Sequence, residues 1–203
     1  MEILYRVHKG IYVNLTNRCS SACTFCLRQT MDHVGESHSL WLEREPTAQE
    51  VEDEFRKWDM SQFEEIVFCG FGEPMYRTDD ILWLVDQLKE KVPHLPPVRI
   101  NTNGHANLIL GRDVTPELQG RIDTLSISLN GSTPAEYLAV TRPRDGEKAW
   151  HAMLDFALKA KEYVPNVVMT IVDKDKSEEE VDRCRQIVRD LGVTLRIRSY
   201  IED

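Results

Sequence analysis

Short β-rich runs alternate with amphipathic helical segments along the chain, and this alternation restricts the fold more than any other feature. The runs fall at residues 10–15 (GIYVNL), 65–69 (EIVFC), 98–101 (VRIN), 124–129 (TLSISL), 167–172 (VVMTIV) and 194–200 (TLRIRSY). Several are nearly continuous apolar stretches, as expected of strands in a parallel sheet covered by helices. The helical segments between them have readable ends. Thr47 with Glu50, and Ser177 with Glu180, are capping boxes, in which hydroxyl and carboxylate satisfy orphan backbone donors. Pro116 and Pro134 follow threonines at the first helical position, and Gly192 suits a C-cap. Ile81, Trp83, Leu84, Gln87 and Leu88 form one helical stripe, and Met153, Phe156 and Ala157 another; both read as core.

Six βα repeats imply right-handed crossovers and a mostly parallel sheet. Eight repeats would close a barrel of typically ~250 residues. Six repeats in 203 residues predict an α/β open partial (β/α)6 barrel, read as one domain over residues 1–203. Chemistry then belongs at the C-terminal strand ends.

The formal net charge of −9 argues against a large basic field for nucleic acid. No run approaches the roughly 20 apolar residues of a membrane span, and MEILYRVHKG is too short and polar for a signal peptide. The expected compartment is the cytosol. Acidic clusters at residues 43–45 and 178–180 read as solvated or capping groups.

Three of the five cysteines, Cys19, Cys23 and Cys26, crowd into eight residues directly after the first run. Without an export signal, this spacing reads as metal ligation rather than a disulfide framework. Thiolates suit zinc or iron–sulfur clusters. A structural zinc wants a fourth ligand, which His33 or His38 could supply. Three thiolates on a four-iron cluster would leave one iron open. Cys69 and Cys184 read as inert packing residues.

The segment IYVNLTNRCSSACTFC resembles the signature of the radical S-adenosylmethionine (SAM) superfamily, C-x3-C-x-aromatic-C after the first strand. The resemblance extends over almost the whole chain. CGFGEP is similar to the GGEP motif of that family, with Phe71 as a departure before Gly72-Glu73-Pro74. RINTNG and SISLNG resemble polar strand ends around SAM. Together with GESHSLWLEREP, these segments resemble a narrower group, the TatD-associated radical SAM proteins.

The resemblance implies an oxygen-sensitive 4Fe–4S cluster on Cys19, Cys23 and Cys26. It implies SAM beside Phe25, Gly72, Glu73, Asn103, Ser128, Asn130 and Arg142, with Phe25 near adenine, Ser128 at the ribose and Arg142 at the carboxylate. It further implies reductive cleavage of SAM to a 5′-deoxyadenosyl radical, an electron donor such as flavodoxin or ferredoxin, and hydrogen abstraction from a small molecule. A radical-installing activase of a partner protein and a zinc-stabilised binding module are the alternatives. In the last run, the period-two rule puts Arg196, Arg198 and Tyr200 on one face. Arg198 and Tyr200 are candidates to hold an anionic or planar substrate at the barrel mouth, with residues 31–45 as a cover; a solvated edge strand is the other reading.

Overall fold

The computed structural model describes residues 1–200. Seven strands form one sheet in sequence order: β1 (Leu4–Val7), β2 (Gly10–Val13), β3 (Glu65–Phe68), β4 (Val98–Thr102), β5 (Thr124–Ser128), β6 (Asn166–Val172) and β7 (Thr194–Arg198). Every pairing from β2 to β7 is parallel, and β1 and β7 remain unpaired edges, so the barrel is open. Six helices intervene: α1 (Ala48–Phe55), α2 (Thr78–Lys91), α3 (Ala106–Leu110), α4 (Pro134–Thr141), α5 (Glu147–Ala160) and α6 (Glu178–Leu191).

The six expected strands are present. β1 is an addition, antiparallel to β2 through the two-residue connection His8–Lys9. His8 takes φ 51°, where a hairpin would ordinarily place Asn or Gly. Both capping boxes form, and Gly192 closes α6 at φ 69°. Thr115 and Pro116 open a short 3₁₀ turn rather than an α-helix. Trp83 is exposed, which corrects its place in the core stripe; Ile81, Leu84, Val85 and Leu88 form the buried face of α2. The α5 stripe is fully buried.

Register separates the sheet into two chemical faces. Ile11, Ile66, Phe68, Ile100, Leu125, Ile127, Met169 and Ile171 are buried under the helices. The alternate residues form the barrel interior, which carries Tyr12, Glu65, Arg99, Asn101, Ser126, Ser128, Arg196 and Arg198. The period-two pleat therefore supplies core and site from the same strands. Ile127→Asn is expected to cost several kcal/mol by burying an unpaired amide. Ser126→Asn, one residue earlier, is expected to change stability by less than about 1 kcal/mol. Urea unfolding of the two variants measures the contrast.

Candidate functional site

The chain leaving β2 is held from both sides before it reaches the cysteines. The Asn14 amide donates to the Leu40 carbonyl at 2.8 Å, and Asn17 exchanges hydrogen bonds with the Leu42 backbone at 2.7 and 3.1 Å. Thr16 and Arg18 both reach the Glu45 carboxylate. Beyond Cys19 the loop lies along the end of α4: Ala22 N–H donates to the Thr141 carbonyl at 3.0 Å, Thr24 N–H to Val140 at 2.9 Å, and Arg144 N–H to Ser20 at 2.8 Å. The Arg28 guanidinium spans the carbonyls of Asn17, Ser21 and Phe71.

This frame leaves Cys19, Cys23 and Cys26 unbridged and half-buried. Burial pushes the Cys23 thiol up to about 12, and the neighbouring Cys19 and Cys26 sulfurs push the same way. Cys19 is also raised, first by burial and then by Glu73. Cys19 and Cys23 thus lie in a place that disfavours bare negative charge, and a bound cationic centre would reverse that penalty. Among the described residues, no three His, Cys, Asp or Glu side chains gather as ligands of a single ion would. A four-iron cluster takes its thiolates on separate irons, and an all-sulfur donor set is of the kind it uses. His33 is exposed and bonded to Asp32 at 2.7 Å, and His38 is exposed.

Gly72 faces the start of the same loop. A Cβ there would lie 2.2 Å from the Thr16 carbonyl oxygen and 2.6 Å from that of Arg18. The missing side chain therefore makes room for protein backbone. Glu73 N–H donates to the Arg18 carbonyl at 2.7 Å. The buried Glu73 carboxylate accepts from Met75 N–H (3.0 Å), the Thr102 hydroxyl (2.8 Å) and Asn103 N–H (2.7 Å). Burial outweighs these donors and raises the carboxyl to about 7. Asn103 in turn donates through its amide to the Ser20 hydroxyl at 2.9 Å, and its Oδ1 accepts from His105 N–H at 3.0 Å. The side chains of Glu73 and Asn103 are thus engaged within the protein, bracing β3, β4 and the cysteine loop.

Sequence reasoning did not find Arg28, Ser20, His105 or Tyr137. His105 Nδ1 meets the Ser20 hydroxyl at 2.9 Å and Nε2 meets the Tyr137 hydroxyl at 2.6 Å. Burial lowers His105 to about 4, so the ring is neutral near pH 7. Only the histidine after the Asn103-Gly104 turn hinted at it.

The other predicted residues fall around this centre. Phe25 is half-buried between Thr24 and Cys26. Ser128 ends β5 on the interior face, half-buried. Asn130 does not continue that face: it lies past the strand at φ 53°, buried, and its Oδ1 accepts from Val172 N–H at 3.3 Å. Arg142 caps α4 at φ 44°, beside Ala22, and its exposed guanidinium has no partner among the described residues. Cys184 is buried in α6, but Cys69 is only half-buried, with Asn101 beside its thiol. Arg198 lies on the interior face of β7. Tyr200 lies beyond the strand, its N–H on Asp173 at 2.9 Å and Lys174 over its ring at 3.8 Å, so the alternation stops before reaching it.

Comparison with known proteins follows this geometry. The sequence profile of the Radical SAM superfamily matches residues 13–187. Molybdenum cofactor biosynthesis protein 1 of Drosophila melanogaster is 28% identical over 196 residues, covering 97% of this chain and 32% of that protein. The GTP 3′,8-cyclase of Aquifex aeolicus (strain VF5) is 24% identical over 206 residues, covering 100% of this chain and 59% of that protein. The chain thus spans less than two thirds of the length of either relative. The structure of Streptococcus suis SuiB bound to S-adenosylmethionine shares the fold at TM-score 0.65 and 16% identity, over 95% of this chain and 40% of that one.

Two outcomes follow from the bracing. Gly72→Ala forces Cβ into the Thr16–Arg18 backbone and is expected to lower the urea midpoint and to impair iron uptake, measured by metal analysis after anaerobic reconstitution. Glu73 gives a pH signature. Its folded-state value of about 7 lies above the ordinary 4.5, so its contribution is complete below 4.5 and lost as pH rises toward 7. The stability of wild type minus that of Glu73→Gln should fall across that window and level off above it, by urea unfolding at each pH.

Proposed function

This chain belongs to the radical SAM superfamily, and from that membership we propose how its residues divide the chemistry of a radical SAM enzyme. The family's cofactors are a 4Fe–4S cluster and SAM; when bound, they supply reductive cleavage of SAM to a 5′-deoxyadenosyl radical that abstracts hydrogen from substrate. The observation that carries the assignment is spatial. The cysteine loop, the Gly72-Glu73 turn and the polar end of β4 are tied together at the C-terminal ends of parallel strands.

Cys19, Cys23 and Cys26 are the proposed cluster ligands. The Gly72 carbonyl, Phe25, Ser128 and the unpaired Arg142 guanidinium are the proposed contacts to SAM. A guanidinium offers a carboxylate two parallel hydrogen bonds. Glu73, Asn103 and Asn130 act as positioning residues, because their side chains hold backbone and neighbouring strands. Substrate sits on the polar interior face, and a one-electron donor such as flavodoxin or ferredoxin supplies the reducing equivalent. Residues 31–45 shield one side of this space. Leu40 packs with Phe71 and Tyr5, and the Trp41 ring meets Phe71 edge-on at 5.1 Å. Placement and exclusion of water are the protein's share of cofactor chemistry.

A partner-protein substrate is a second reading, favoured by the open edge at β7, where Ile197 is exposed.

The test is anaerobic reconstitution followed by calorimetry with SAM. About four irons per chain are expected. Cys19→Ala, Cys23→Ala or Cys26→Ala should remove or strongly reduce them. Ser128→Ala should keep the iron and weaken SAM binding about two- to tenfold, the worth of one neutral hydrogen bond. Stoichiometric zinc without iron uptake, or a reconstituted wild type that does not bind SAM, overturns the assignment.

A further inference from the structure

The inner face of the sheet borders a half-open cavity of about 580 Å³, lined by Tyr12, Glu65, Arg99, Asn101, Ser126, Arg196 and Arg198 and, at the N-terminal ends of the strands, by Lys9, Glu64 and Pro97 among others. That volume lies within the ordinary range for small-molecule sites, roughly 300–1,000 Å³. Its charge is opposite to that of the chain. The chain carries −9, yet this lining has the cations Lys9, Arg99, Arg196 and Arg198 against the carboxylates Glu64 and Glu65. Both carboxylates are already engaged: Glu64 pairs with Lys9, and Glu65 with Arg99 at 2.7 Å. Tyr12 takes a further Arg99 donor at 3.3 Å, while the buried Arg99 Nε has no partner. Arg196 and Arg198 have no hydrogen-bonded or ion-paired side chain among the described residues.

Two unpaired guanidiniums on the same face of one strand repel each other. Partial desolvation, Arg196 and Arg99 bias Arg198 downward from the ordinary guanidinium range, although the residue is exposed to solvent. Charged residues on an edge strand ordinarily discourage sheet pairing. Here Arg196 and Arg198 share the cavity face, so the same charges that protect the edge also line the cavity, while the opposite face of β7 presents Leu195 and the exposed Ile197. Both arginines are exposed to solvent while lining the cavity, so their charges are open to an incoming anion. Register connects them to the candidate SAM site: Arg196 pairs with Thr170, which pairs with Ser128.

We propose that Arg196 and Arg198 bind a small substrate bearing two oxyanion groups, with Arg99 as a third cation oriented by Glu65 and Tyr12. The proposal names a substrate class for the interior face and rests on the placement of substrate there. Phosphate esters and dicarboxylates share this chemistry, so the test has one arm for each.

Calorimetry on the cluster-loaded protein, kept anaerobic and at low salt, would use inorganic pyrophosphate and succinate as probes. Saturable binding of at least one probe is expected, weakened tenfold or more in Arg196→Gln and in Arg198→Gln and unchanged in Arg185→Gln on the outer surface of α6. Preference for pyrophosphate identifies a phosphate ester, and preference for succinate a dicarboxylate. Iron content and SAM binding should stay at wild-type values in all three variants, and circular dichroism confirms their folding. No saturable binding of either probe by the wild type, or equal binding by the two interior variants, overturns the proposal. Failure of wild-type iron or SAM binding would instead overturn the cofactor assignment, whatever the probes do.

Discussion

The Glu73 carboxylate is the joint on which the end of the barrel carrying the cysteine loop depends. It is buried, and its three donors come from two separate segments, the turn after β3 and the end of β4. Hydrogen bonds to a buried carboxyl cost heavily when one partner is removed, because the remaining groups stay desolvated. The backbone of the same residue grips the cysteine loop through the Arg18 carbonyl, and Gly72 lets that loop approach within contact distance. One short turn thus sets the distance between the loop carrying three thiols and the strand end carrying Asn103. The Ser20–His105–Tyr137 chain extends the connection to α4. A neutral imidazole there adds no charge beside the thiols.

The second constraint is the division of the sheet into an apolar outer face and a polar inner one. In closed eight-stranded barrels the interior is filled by bulky branched side chains and behaves as core. Here the interior holds a tyrosine, a glutamate and three arginines around open space. The burden of stability falls on the outer layer, where residues such as Phe68, Phe156 and Met153 are inaccessible. That separation leaves the inner face free to vary for binding without dismantling the core.

Those features written into local sequence were legible. The parallel strands, both capping boxes and the cysteine spacing depend on residues close along the chain. The misplacement of Tyr200 past the end of its strand has one physical cause: alternation holds only while the hydrogen-bonded ladder continues. β5 stops at Ser128 and β7 at Arg198, so Asn130 turns to β6 and Tyr200 to Asp173 and Lys174. The pairing of Ala22 and Thr24 with Thr141 and Val140 joins positions more than a hundred residues apart. No local pattern announces such a contact. The hairpin of β1 escaped because His8 occupies a left-handed turn position without the Asn or Gly that usually marks it.

Phe71 acquires a reason from the same geometry. At this position the resembling motif has a glycine, but here the side chain packs with Tyr5 and Leu40 and meets Trp41. Its carbonyl accepts from Arg28, which also holds the cysteine loop. One residue therefore packs against Leu40 and Trp41 with its side chain and, through Arg28, is tied to the cysteine loop by its backbone. A glycine could accept from Arg28 but could not pack against Leu40 and Trp41. Chemistry that depends on excluding water needs both functions at one place. The departure from the motif thus couples residues 31–45 to the cysteine loop.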